Sequence, residues 1–287
     1  MGKWGILYSG LLLSTAGACV ANQNPDPLIV ASHVAEQVRP DTPLNAEPVF
    51  RTDRTPIAII IDDLGYHYQR SMAAINLPGA VTLSVIPHSP HGVEVAQRAH
   101  QLGKELMLHA PMSNVQDKPL DPGALTENMD HELFLRTLTE DLAAIPYIRG
   151  LNNHMGSLLT QETQPMQWLM GELKARQLFF VDSRTSPDSI AWEIAKADDI
   201  PTLKRDFFLD HDPDPVKISH QFAGLLRLAK QRGYALAIAH PYPETLHFLQ
   251  SALPTLENSE FHLLFVSDLL SQLEAQVNTQ QVRVGPP

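Results

Sequence analysis

Ile57-Ala58-Ile59-Ile60-Ile61 is an unbroken apolar run, almost entirely β-branched, stopped abruptly by Asp62-Asp63. A strand with one wet face alternates apolar and polar residues, and this one does not. It suits a parallel sheet covered on both faces, whose strands must be joined by long crossovers, usually helices. Similar short runs recur at 81–86, 105–108, 147–151, 178–181, 201–203, 235–239 and 262–266. Helical periods lie between most of them, as in Phe134, Leu138, Leu142 and Ile145, or Ile218, Phe222, Leu225, Leu226 and Ala229. The second of these has Asp214 as N-cap, Pro215 at the first helical position and Gly233 just past its end. The alternation predicts an α/β fold: a (β/α) barrel of seven or eight parallel strands, distorted or incomplete, with an open doubly wound sheet as the alternative.

Composition narrows the chemistry. The 287 residues suffice for a sizeable core, and 32 acidic against 21 basic residues give a formal charge of −11. That balance argues against a nucleic-acid partner or an anionic membrane surface. A single cysteine excludes an internal disulfide and a cysteine-rich zinc site, so a metal would be held by oxygen and nitrogen.

The N-terminus reads as an address. Lys3 precedes an apolar stretch, Ile6 to Leu13, too short to span a bilayer, and Ala16-Gly17-Ala18 offers a small-x-small cleavage pattern. Residues 1–20 are expected to be a signal peptide exporting the protein to the bacterial periplasm or cell envelope. Cys19 stands where a lipidated cysteine would, although Ala16 replaces the large aliphatic residue usual in a lipobox; a lipid anchor and a plain cleaved signal both remain open. Residues 21–56 carry six prolines and no glycine and read as a spacer, with an arm packed on the domain as the other reading. The barrel is expected over 57–275, followed by a tail at 276–287, with no transmembrane span in the mature chain.

Nearly every strand candidate finishes on a polar or titratable group. The ends are Asp62-Asp63, His88, His109, Asn152-Asn153-His154, Asp182, Lys204-Arg205-Asp206, His240 and Ser267-Asp268. In a parallel barrel all these ends share one face, where active sites are built. Some are ordinary helix caps, Asp268 among them, but histidine is a poor cap, and four histidines after four strands point to a metal site. Because side chains alternate along a strand, Asp62 and Asp63 should do different jobs. An aspartate and two histidines leave an open position on a zinc-like ion, which activates water and polarises a carbonyl, while a further histidine can protonate a leaving amine. Metal-assisted amide hydrolysis follows from these residue types. No nucleophile elbow, phosphate-binding loop, dinucleotide turn or H-E-x-x-H motif competes. Asp130-His131-Glu132 reads as a helix start, and Asp210-His-Asp-Pro-Asp214, which could also bind a cation, reads as a polar loop between a strand and a capped helix.

Ile59-Ile-Ile-Asp-Asp-Leu-Gly65 resembles the first motif of the polysaccharide deacetylase (NodB-like) family. Gly150-Leu-Asn-Asn-His-Met-Gly156, Phe180-Val-Asp-Ser-Arg-Thr185 and Phe208-Leu-Asp210 resemble its divergent branch, and the likeness runs from about Thr55 to Leu270. The resemblance implies Asp62 as catalytic base, Asp63 as a metal ligand and His240 as general acid. His109 matches the first histidine of a His-x-x-x-His metal motif, but Ser113 stands at the second. His154 is therefore expected as the third ligand of one divalent ion, most naturally zinc. Asp182 and Arg205 would orient the base or the acid, and Asn153 and His88 are further candidates to surround the centre or contact substrate. The implied substrate is an N-acetylated carbohydrate, with a cell-envelope glycan the natural partner. Trp168, Trp192 and Tyr242 could stack on sugars, although helix packing accounts equally well for the two tryptophans. The alternative is a non-catalytic glycan- or protein-binding module that keeps the barrel and its cleft.

Overall fold

The computed structural model describes residues 54–284, with side chains described through 276. The expected signal peptide, Cys19 and the expected spacer up to residue 53 lie outside the described residues, as does the end of the tail. No helix among the described residues is long and apolar enough to cross a membrane.

Strands and helices alternate as β1 (Thr55–Leu64), α1 (Tyr68–Ile75), β2 (Thr82–Val85), α2 (Gly92–Gln101), β3 (Leu106–Met112), α3 (His131–Ala144), β4 (Ile148–Met155), α4 (Thr163–Ala175), β5 (Phe179–Asp182) and α5 (Ala191–Ala197). There follow β6 (Thr202–Lys204), β7 (Phe207–Phe208), α6 (Pro215–Arg232), β8 (Ala235–Ala239), α7 (Pro243–Ala252), β9 (Phe261–Leu264) and α8 (Val266–Val284). All pairings between these strands are parallel, in the order β6-β5-β4-β3-β2-β1-β8-β7. The result is a curled, distorted (β/α) barrel. Its two edge strands are joined by Arg205 and Asp206, whose amides bond Asp182 O and Leu236 O, both at 3.0 Å. These two residues carry the chain across the gap, leaving no room for a helix between β6 and β7.

Ile57, Ile59 and Ile61 face the outer layer, where the helices pack, while Ala58 and Ile60 join Met107, Val181, Leu236 and Ile238 in a separate inner core. Burial on both faces explains why β1 shows no alternation of polarity. The capping expected from sequence is present: Asp214 accepts from the amides of Val216 and Lys217, and Gly233 takes a left-handed φ of 94°. Asp130 likewise caps α3 through the Leu133 amide.

Two expectations change at the last strand. β9 pairs with Thr55–Ala58 on the same edge of β1 that β2 occupies from Ile60 onward. Its end thus meets the starts of β2 and β3, where Val266 N bonds Thr82 Oγ1 and Ser267 N approaches the Glu105 carboxylate. Ser267 and Asp268 are therefore remote from the rim where the other strands finish. Asp268 is also no N-cap, because α8 starts at Val266 and places it in the first turn.

Candidate active site

Alternation along the strands builds the site. The inward positions Ile60, Met107 and Ile238 lie in the inner core. Two residues further along the same strands come Asp62, His109 and, just past β8, His240. On β4, Leu151 belongs to the outer core, so Asn152 and His154 point inward. Strict alternation would turn Asp63 outward. Instead the pairing of β1 with β2 shifts between Ile61 and Leu64, and Asp63 adopts a left-handed φ of 58°. This bulge brings two neighbouring carboxylates to one centre. Aspartate tolerates that backbone better than most residues, and such strain concentrates at functional sites.

Asp63, His109 and His154 present three donor atoms to one another. His154 Nδ1 is 3.0 Å and His109 Nε2 3.2 Å from Asp63 Oδ1, and the two nitrogens are 3.1 Å apart. Ligands about 2.1 Å from a tetrahedral ion are separated by roughly 3.4 Å, close to this triangle. The far nitrogens are already committed: His109 Nδ1 lies 2.8 Å from Asn152 Oδ1, and His154 Nε2 lies 3.2 Å from Asp121 Oδ2. Those oxygens only accept, so with a cation at the centre the protons would sit on the outer nitrogens and the inner lone pairs would face the ion. Asp63 Oδ1 is buried without a well-directed hydrogen bond. Three lone-pair donors facing one another suit a divalent cation, and the three residues form a potential metal site. Without a cation the rings can relieve the repulsion by taking up protons or by moving them to the inner nitrogens, where Asp63 Oδ1 accepts. Accordingly, although burial opposes its ionisation, His109 and His154 hold the Asp63 carboxyl well below the usual carboxylate range. Burial works against charge on His109 too, yet Asp62 and Asp63 raise its pKa.

Asp62 is 2% exposed. Burial pushes its carboxyl above the usual range, against the pull of His109, His240 and Asn152. The Asn152 amide donates to both Asp62 oxygens, at 2.9 and 3.1 Å, and its carbonyl also accepts from Ser84 Oγ at 2.6 Å. His240 is oriented by Asp210, whose Oδ1 is 2.9 Å from His240 Nδ1 and whose Oδ2 accepts from the His240 amide and from Thr245 Oγ1. Nε2 of His240 is left facing Asp63 Oδ2 at 3.9 Å. Burial disfavours the imidazolium, but the Asp210 bond and the nearby carboxylates push its pKa up to about 9. The site therefore combines a basic carboxylate, a three-donor cradle and a protonated imidazole.

The remaining expected residues stand elsewhere. Asp182 follows inward-facing Val181 and so points away from the centre, accepting from Arg184 N and Ser189 Oγ; it has no hydrogen bond to Asp62 or His240. Arg205 bonds the carbonyls of Ser183 and Arg184 and lies over the Phe208 ring, which in turn stacks on His240. It supports the wall behind His240 and makes no hydrogen bond to it. Asn153 points the opposite way from Asn152 and ties Ser183 N to Met155 O. His88 bonds Asp141 on α3 at 2.9 Å, outside the cluster. Trp168 packs on Phe134 and Trp192 lies beneath Lys204, whereas the Tyr242 ring is 5.6 Å from His240.

Three residues of the site lie outside the set expected from sequence. Asn152 could have been chosen over Asn153 by counting strand parity. Asp210 closes a quoted motif but sits in a run of aspartates that reads as a polar loop. Asp121 lies in a loop after β3 with no local pattern to mark it.

The family described as divergent polysaccharide deacetylase matches residues 59–270. The uncharacterized protein YibQ of Escherichia coli is 33% identical over 230 residues, 80% of this chain and 72% of that one. An uncharacterized protein of Haemophilus influenzae is 33% identical over 207 residues, covering 72% and 74% of the two chains. Among solved structures, the uncharacterized protein ATU2773 of Agrobacterium tumefaciens aligns with a TM-score of 0.74 at 25% identity, over 77% of this chain and 92% of that one. Fold and sequence agree, and this chain belongs to the divergent polysaccharide deacetylase family.

Proposed function

We propose that this protein is a zinc-dependent hydrolase that removes N-acetyl groups from a cell-envelope glycan after export. The observation that carries the reading is the Asp63–His109–His154 triangle set beside the buried Asp62 carboxylate and the His240 imidazole held by Asp210. Asp63, His109 and His154 would hold the ion, which would supply Lewis acidity toward the acyl oxygen and the attacking water. Asp62, fixed by Asn152, takes a proton from that water as its oxygen attacks the acyl carbon. His240, held in one orientation by Asp210, gives its Nε2 proton to the nitrogen as the C–N bond breaks, releasing acetate and a free amine. A polar cavity of about 210 Å³ lies beside the ends of β3 and β4, lined by Ser113, Asn114, Lys118, Glu127 and Asn128 among others, and suits a hydroxyl-rich ligand. Exposed Tyr242 offers a ring face next to the acid.

Acetate release from N-acetylated oligosaccharides, measured with added zinc for wild type and Asp62→Asn, tests the assignment. Loss of turnover in the variant is expected, and equal rates in the two proteins would overturn the mechanism. A purified domain that takes up no stoichiometric zinc would instead favour a binding module, and tight zinc binding with no acetate release from any N-acetylated glycan would favour hydrolysis of another amide or ester.

A further inference from the structure

His109 and His154 reach the same centre but are held in different ways. In the β3–β4 register His109 lies opposite Asn152, whose side chain fixes its outer nitrogen. His154 lies opposite Pro111, which has no polar side chain to offer. It also stands at a strand end, where Met155 and Gly156 turn through φ values of 53° and 83°. Its outer nitrogen is met from outside the sheet, by Asp121 of the loop between β3 and α3.

That loop is fastened independently of the centre. Leu125 N bonds Pro111 O and Ser113 N bonds Leu125 O, so residues 114–124 form an excursion pinned at its base. Gly123, at a φ of 84°, packs so closely on Asp141 that an added Cβ would fall 2.1 Å from Oδ1. Two residues away, Asp121 receives the Tyr66 hydroxyl on Oδ1 at 2.6 Å, which leaves Oδ2 for His154 Nε2. Tyr66 itself comes from the turn after β1. The Asp121 carboxylate is thus held by the Tyr66 hydroxyl, on a loop pinned at Leu125 and packed on Asp141, before His154 uses it.

We propose that Asp121, braced by Tyr66, is the positioning residue that makes His154 a metal ligand by keeping the proton on Nε2 and the Nδ1 lone pair inward. The proposal rests on the metal-site reading and completes it, since the position of the expected second histidine is taken by Ser113, whose hydroxyl donates to Glu127. Groups that hold the far nitrogen of a ligating imidazole typically change metal affinity by about 10–100-fold when removed.

The test follows zinc affinity by titration calorimetry and the His154 tautomer by ¹⁵N NMR, the latter in ion-free protein at a pH where the ring is neutral. Asp121→Ala should weaken zinc binding by about 10–100-fold and move proton occupancy from Nε2 toward Nδ1. Asp121→Asn, which keeps an accepting oxygen, should recover most of both. Tyr66→Phe, which leaves the carboxylate in place, should weaken binding by less than Asp121→Ala. Wild-type affinity and an unchanged tautomer in Asp121→Ala would overturn the proposal. If wild type binds no zinc, the metal reading falls by itself, and the tautomer still decides whether Asp121 sets the ring.

Discussion

Asn152 donates its side-chain amide to both carboxylate oxygens of Asp62, at 2.9 and 3.1 Å. Since the same side chain accepts from His109 Nδ1 at 2.8 Å, it joins the proposed base to a proposed ligand through one planar group. Its orientation is fixed by chemistry, because carboxylate oxygens only accept and the NH2 must face them. Asn152→Ala should lower zinc affinity or turnover by about 10–100-fold. Asn152→Asp should cost more turnover than Asn152→Ala, because it sets a second negative charge against Asp62 and raises the pKa of the base further. Zinc titration and kcat/KM on the same preparations check both; a wild-type Asn152→Asp enzyme would contradict the coupling.

The proton on His240 depends on Asp210. With its imidazole pKa pushed up to about 9, His240, the proposed acid, is protonated at neutral pH, and activity should fall at alkaline pH as that proton is lost. Asp210→Asn removes the negative charge and most of the hydrogen bond that stabilises the imidazolium, so the alkaline limb of kcat/KM should move toward lower pH. Identical alkaline limbs in the two proteins would show that His240 is not the acid.

Metal binding should be visible in stability. An ion held by the native triangle and not by the unfolded chain adds about 2.7 kcal/mol when free zinc is 100 times its Kd. Zinc should therefore raise Tm, chelation should reverse the rise, and Asp63→Ala should abolish it at a stoichiometry of one ion per chain. A zinc-induced rise that persists in Asp63→Ala would place the ion elsewhere.

Asp141 gives a pH dependence unrelated to the centre. It is fully buried on α3, its Oδ2 has no hydrogen-bond partner, and burial, helped by Glu140, pushes its carboxyl up to about 8. Below that pH the neutral acid can donate to His88 Nε2, 2.9 Å away. A group whose folded pKa exceeds its unfolded value contributes fully below the unfolded value, here the ordinary 3.8, and loses its contribution as pH rises through the folded one. Stability should accordingly fall between about pH 4 and 8, with a slope of at most roughly 1.4 kcal/mol per pH unit relative to Asp141→Asn. Urea melts of both proteins across that range test it, and parallel curves would refute it.

Strand alternation and the common end of parallel strands are local rules, and the sequence carries them. A fully apolar Ile57–Ile61 demands burial on both faces, and the polar residue that ends such a run emerges on the shared rim wherever its strand spans the full height of the sheet. That is why Asp62, His109, His154 and His240 were legible as one group across a separation of 178 residues. The same parity, counted with care, also separates Asn152 from Asn153 and turns Asp182 away. What alternation cannot reveal is where the chain breaks its own period or folds over a neighbour. The bulge that swings Asp63 inward depends on how β1 meets β2, and the retreat of Ser267 and Asp268 from the rim depends on β9 pairing low on β1. Asp121 reaches His154 only because its loop is pinned at Leu125 and packed on Asp141. These are contacts between distant segments, so tertiary packing decided them.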